Sequence, residues 1–208
     1  DIKTCTITNK DIEISGGFSS TTISGYKWHD LNSDGIWQKG EEDSEPAVEG
    51  WNIALGKVQG SLPSTSTIPI EIVALSLTSA NGQFSLSVSE SGNYKVFEEK
   101  KVNWVATNPR PAVNSFFDIT YRIDAPQGVL WNTDSFFDVF VDLNTPEITT
   151  DTNNSLLQFG NHRLAVISNE SSQDVSSNSA TLTWTTDIPA TSRVIYDTVS
   201  HPALGSGS

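Results

Sequence analysis

An all-β fold, built of sandwiches, is predicted for this chain by three features: short alternating segments, turn residues between them, and no helical period of useful length. In "QFSLSV" Phe84, Leu86 and Val88 fall on one face and Ser85 and Ser87 on the other, the period of a half-buried strand. The same reading covers "GWNIAL", "IPIEIVALSL", "NYKVFE", "SFFDITYRI", "SFFDVFVDL", "LLQFGN", "ATLTWTT" and "SRVIY". Asn81-Gly82 ahead of "QFSLSV" predicts a hairpin turn. Six Trp and nine Phe supply a core, while plentiful Ser, Thr, Asn and Gly favour strands and turns over helices.

The 208 residues divide into three parts. Residues 1–20 read as an arm, with the strand-like "TCTITNKDIEI" ending at a Gly-Gly hinge. Residues 21–163 form a first sandwich. Past a boundary at residues 162–166 a new rhythm of strand, polar loop and strand occupies 164–208, and the "GSGS" tail is left out of fold reasoning.

A net charge of −13, from 12 basic against 25 acidic residues, disfavours nucleic acid and anionic membrane as partners and favours divalent cations. No run of 18 apolar residues exists, so no membrane insertion is expected within this chain. The start "DIKTC" lacks the basic and apolar regions of a signal peptide, so a leader has been removed or none was there. A single cysteine, Cys5, leaves no intrachain disulfide to brace an extracellular protein.

The sharpest local pattern is "DLNSDGIWQKGEE", with Asp30, Asn32, Asp34, Gly35 and Glu41 at the spacing of a calcium loop. Calcium takes six to eight hard oxygens, and alternating acids with a glycine at the bend let one short loop wrap it. Asp30, Asn32 and Asp34 offer side-chain oxygens, Ile36 its carbonyl and Glu41 a bidentate carboxylate. Gln38 falls where a water-mediated ligand would sit, and Glu42 can replace Glu41. The competing reading is a solvated acidic turn.

The flanks of this loop, "TTISGYKW" and "PAVEGWNIAL", are strand-like, unlike the helices around an EF-hand loop. Gly25 to Trp28, Asp30 to Gly35, Glu41-Glu42, "EGWNIAL" from Glu49, "SANGQFSL", "GNYKVFEE" from Gly92, Trp104 and "FGN" at Phe159 to Asn161 follow in order. Together they resemble the SdrD B-like or Cna B-type (prealbumin-like) modules of bacterial surface proteins over residues 22–163. The resemblance implies a Greek-key sandwich, calcium (Ca2+) in its first loop, and a secreted or cell-surface location. It also implies an autocatalytic isopeptide bond between Lys27 and Asn161, assisted by Glu98. Strand parity agrees, placing Lys27 with Ile23 and Gly25, Glu98 with Tyr94 and Val96, and Asn161 with Leu157 and Phe159 on inward faces. The bland alternatives are a snorkelling lysine, an exposed Glu98-Glu99 pair and a strand-ending turn.

Residues 164–208 resemble the opening of a fibronectin type III domain, with Trp184 in a core strand and Val194 and Tyr196 on the next. About half of such a sandwich is present, so a partner strand donated by another subunit, from an arm such as residues 1–20, is one way to complete it. His29, His162 and His201 show no zinc spacing, and no phosphate loop or G-x-S-x-G is present, so an enzyme acting on an external substrate is not expected. Asp118, Asp124, Asp134, Asp138 and Asp142 read as strand edges and turns rather than a hydrolase pair. The expected function is a calcium-stabilised structural or adhesive module, assembling into filaments or binding a host or glycan ligand. The alternative is a carbohydrate-binding module accessory to a secreted enzyme, with Trp104, Phe116, Tyr121, Trp131 and Phe136 as a sugar-stacking platform.

Overall fold

A computed structural model describes residues 20–40, 44–58, 69–111, 118–122, 128–144, 148–150 and 156–194. The arm expected over residues 1–20 therefore lies almost wholly outside the described residues, as do Glu41 and Glu42. The described residues are all β, without a helix. They divide into two compact units, one ending at Arg163 and the other starting at Leu164.

The first unit is a sandwich of two sheets. One holds β4 (Gln83–Val88), β1 (Thr21–His29), β10 (Leu157–Arg163) and β6 (Trp104–Asn108), in that order. The other holds β7 (Asp118–Arg122), β3 (Pro69–Leu77), β2 (Asn52–Val58), β5 (Gly92–Glu99), β8 (Trp131–Val141) and β9 (Ile148–Thr150). Alternation in the sequence decides which side chains meet between them: Ile23, Phe84, Leu86, Leu157 and Phe159 from the first sheet pack on Ile53, Leu55, Tyr94, Val96, Phe137 and Val139 from the second. Each such side chain contributes on the order of 1.5–3 kcal/mol when taken out of water.

β1 and β10, the first and last strands of the unit, are direct neighbours and run parallel, with Lys27 opposite Phe159 and His29 opposite Asn161. Antiparallel β4 closes the other edge of β1, with Gly25 opposite Phe84. The outer side of the larger sheet has its own apolar cluster, where Ala54, Ile70, Ile72 and Phe97 are fully buried and Trp131 and Phe136 lie against them. This is why β5 is buried on both faces instead of alternating.

Asn81-Gly82 does not close the hairpin expected from it. The turn joins β3 to β4, which belong to different sheets, and so forms a corner of the sandwich. The Lys27 amide donates to the Gly82 carbonyl at 2.8 Å, and Gly82, at φ +74°, packs so tightly on the Lys27 backbone that no Cβ fits. Docking onto β1 outweighs the local preference for pairing two strands across the turn.

The second unit consists, among its described residues, of β11 (Ile167–Gln173) paired antiparallel with β12 (Thr181–Thr186). Trp184 is half-buried rather than a core residue, and residues 192–194 run without strand structure, leaving Val194 exposed. Two strands offer too little apolar surface to enclose a tryptophan, which explains the difference. Tyr196 lies outside the described residues.

Gly160 of β10 is where the outer indole of Trp28 rests: a Cβ there would meet the ring, with Cε2 at 2.7 Å and Thr107 Oγ1 at 3.0 Å. Gly160→Ala should lower stability by about 1–3 kcal/mol in a urea titration, because the fully buried Trp28 has no room to withdraw.

Candidate functional site

Inward alternation on three strands brings Lys27, Glu98 and Asn161 together between the sheets. Lys27 and Glu98 are fully buried and Asn161 nearly so. Lys27 Nζ stands 3.2 Å from Glu98 Oε2, 3.3 Å from the Phe159 carbonyl oxygen, to which it donates, and 4.5 Å from the Trp51 ring centroid. Lys101 lies on the same indole at 4.6 Å, and Trp104 packs edge-on against it at 5.2 Å.

Burial governs the ionisation of the pair. Desolvation lowers the Lys27 pKa to about 8, against the raising effect of Glu98. It raises that of Glu98, opposed by Lys27 and by the amides of Asn161 and Asn132. Both shifts move the pair towards a neutral amine beside a neutral acid. Both Glu98 oxygens and Asn161 Oδ1 are buried without an aligned donor. A protonated Glu98 would supply the O–H that Asn161 Oδ1 lacks, which leaves one Glu98 oxygen still in need of a donor.

The acidic loop starts three residues beyond Lys27. Asp30 is fully buried; its Oδ2 accepts the Gly35 amide at 2.8 Å and its Oδ1 the Asp34 amide at 3.2 Å. Asn32 Oδ1 accepts the Asp34 amide at 3.0 Å, and Asp34 Oδ1 the Ile36 amide at 2.7 Å. The Ile36 bond is the main cause holding the Asp34 pKa below its ordinary value. Gly35 makes the bend at φ +79°. These side-chain oxygens are of the hard type that calcium takes, and in the loop as it stands those of Asp30, Asn32 and Asp34 accept backbone amides of the same loop. Among the described residues no three His, Cys, Asp or Glu side chains gather at one metal-sized point; Glu41 and Glu42 lie outside them.

Glu45 carries a role with no signal in the sequence. Nearly buried, it accepts the Leu31 amide at 2.8 Å through Oε1 and the Gln38 amide at 3.2 Å through Oε2, clamping both ends of the loop. Burial raises its pKa. Trp37 anchors the same loop by stacking on Trp28 at 6.1 Å and donating from Nε1 to the Glu45 carbonyl. The loop is also tied to the buried triad, since the Asp30 amide donates to the Asn161 carbonyl at 2.9 Å and His162 Nδ1 lies 2.8 Å from the Asp30 carbonyl.

The aromatic residues considered for sugar stacking are engaged inside the protein. Trp104 packs on Trp51 and His29, Trp131 on Phe97, and Phe136 under the Lys95 ammonium at 3.7 Å. The Phe116 and Tyr121 side chains lie outside the described residues. Asp138 pairs with Lys95, and Asp142 accepts from Asn144 in a turn.

Fold and site together define the class as an all-β sandwich protein with a buried lysine–glutamate–asparagine cluster. Comparison with protein-family models and with curated proteins finds no match.

Glu45→Ala removes the acceptor for two loop amides and should cost about 1–3 kcal/mol, with hydrogen exchange at Leu31 and Gln38 rising more than in the β5 core. Equal protection at those two amides would remove the clamp assigned to Glu45.

Proposed function

We propose that residues 20–163 form a calcium-stabilised, covalently locked structural module of a secreted or cell-surface bacterial protein, with an adhesive or stalk role. The observation that carries this reading is the burial of Lys27, Glu98 and Asn161 in one water-excluded cluster on the first, central and last strands.

Such a cluster can react with itself. The neutral Lys27 amine attacks Asn161 Cγ, forming the Nζ–Cγ bond while Glu98 donates its proton towards the amide. The Cγ–Nδ2 bond then breaks, and ammonia leaves with a proton from Nζ relayed through Glu98. The acid ends as it began and the product is a neutral amide. A bond closing residues 27–161 restrains the unfolded chain by about 4–5 kcal/mol, by analogy with a disulfide of similar span. Because β1 and β10 adjoin, tension between the ends of the unit passes from strand to strand through the bond without stretching the chain between them.

Calcium is the second brace. When bound it would neutralise Asp30 and Asp34, held with Asn32, the Ile36 carbonyl and Glu41 or Glu42, and stabilise the folded state by mass action. The loop is fastened by Glu45 and by the outer face of β1, so its role is to brace rather than to open. The module acts on no external substrate in this reading.

Intact mass should fall about 17 Da below the sequence value, the mass of the ammonia lost, and Lys27→Met or Asn161→Ala should restore it. An intact mass at the full sequence value removes the lock.

A pH titration distinguishes locked from unlocked chains independently. In Asn161→Ala the Lys27 amine still titrates, near 8 when folded against 10.5 when unfolded. The unfolded chain binds more protons in that window, so stability gains a rising contribution from pH 8 to 10.5. The locked chain has no such amine and should lack that contribution.

Adding calcium to chelator-treated protein should raise the melting temperature, by an amount that grows with concentration and corresponds to about 2.7 kcal/mol at a hundredfold excess over Kd. Asp30→Ala should abolish the response.

A further inference from the structure

The ladder between β5 and β8 is regular from Gly92 opposite Val141 to Phe97 opposite Phe136, then jumps to Glu99 opposite Trp131. Two steps along β5 are matched by five along β8, so residues 132–135 bulge out opposite Glu98. The bulge turns two polar side chains inward, Asn132 at 7% exposure and Ser135 at 0%. A polar side chain in a core costs stability unless it finds a partner, and a leucine of similar volume would fill the space of Asn132. The bulge instead sets Asn132 across from Glu98, whose pKa its amide helps to hold down, although neither Glu98 oxygen has an aligned donor.

Ser135 faces the other sheet. Its hydroxyl donates to the Pro109 carbonyl at 2.7 Å, just past the end of β6, and β6 pairs with β10, the strand that carries Asn161. Asn108 Nδ2 donates to the Gln158 carbonyl of β10 at 2.6 Å, closing the same corner. The bulge is thus fastened to both sides of the cluster.

We infer that Asn132 is a positioning residue for the covalent lock: placed opposite Glu98 by the β8 bulge, its amide takes one oxygen of the Glu98 carboxyl as the cluster reacts, leaving the other to face Lys27 and Asn161, while Ser135 fixes the bulge. This rests on the Lys27–Asn161 reading above. A carboxyl turning freely about its last bond divides its proton between two directions, one of them useless for relaying the Lys27 proton to the departing ammonia. An amide donor on one oxygen leaves the proton on the other. The bond made and the bond broken stay those already described, and Asn132 is unchanged at the end.

The test follows ammonia loss in the full chain, made in a short cell-free translation pulse, quenched in acid at intervals and read by intact mass. Asn132→Leu should slow the loss by about 10- to 100-fold, the cost of an ångström-scale misplacement, and Asn132→Gln should recover part of the rate. Ser135→Ala, which frees the bulge, should slow it too and serves if Asn132→Leu does not fold. Each substitution is also melted in a Lys27→Met background, where no bond forms; melting temperatures close to that background's are expected. A wild-type rate in Asn132→Leu, or equal slowing in Leu and Gln variants with matching losses of melting temperature, overturns the inference while leaving the lock in place. A wild-type chain that never loses ammonia overturns both.

Discussion

An ammonium and a carboxylate enclosed between two apolar sheets are the constraint around which the first unit is organised. Lys27 and Glu98 approach to 3.2 Å with no exposure to water, amid Trp51, Phe159 and Val96. Attraction between such charges rarely repays the loss of their hydration, so a buried ion pair is a weak source of stability. Moving one proton from lysine to glutamate removes both charges, and the pKa shifts of the two groups point that way. The neutral pair is also the reactive one. An arrangement that is costly as a salt bridge therefore becomes sensible as a precursor, because an amide between Lys27 and Asn161 leaves no charged nitrogen in the core.

Strand order turns this local chemistry into a property of the whole unit. Parallel pairing of β1 with β10 sets the chain's first and last strands side by side, and β5 supplies the acid from the facing sheet. The same pairing carries the acidic loop, whose Asp30 amide is bonded to the Asn161 carbonyl. Loop and cluster share two strands and lie a few residues apart. Trp28 illustrates the economy: its neighbour Lys27 points into the core, while its own indole covers the outer face and receives Trp37 from the loop.

The two units differ sharply in how they meet the demands of burial. Residues 20–163 enclose one core between sheets and a second on the outer side of the larger sheet. Residues 164–194 offer a single pair of strands whose first member is exposed along its length. Trp184 stays half-buried there because the described residues supply a single layer to cover it.

Alternation in the sequence was enough to assign the all-β class, the strands β4, β5 and β10, and the inward faces of Lys27, Glu98 and Asn161, because a period of two dictates which side of a sheet a residue takes. The acid spacing from Asp30 to Gly35 was equally legible, since the loop's bonds run between near neighbours. Contacts between distant segments were not. The Asn81-Gly82 corner, the clamp of Glu45 across the loop and the bulge that brings Asn132 to Glu98 all depend on which strands become neighbours in space. Periodicity says which way a side chain faces; only the packed sheets decide what it meets.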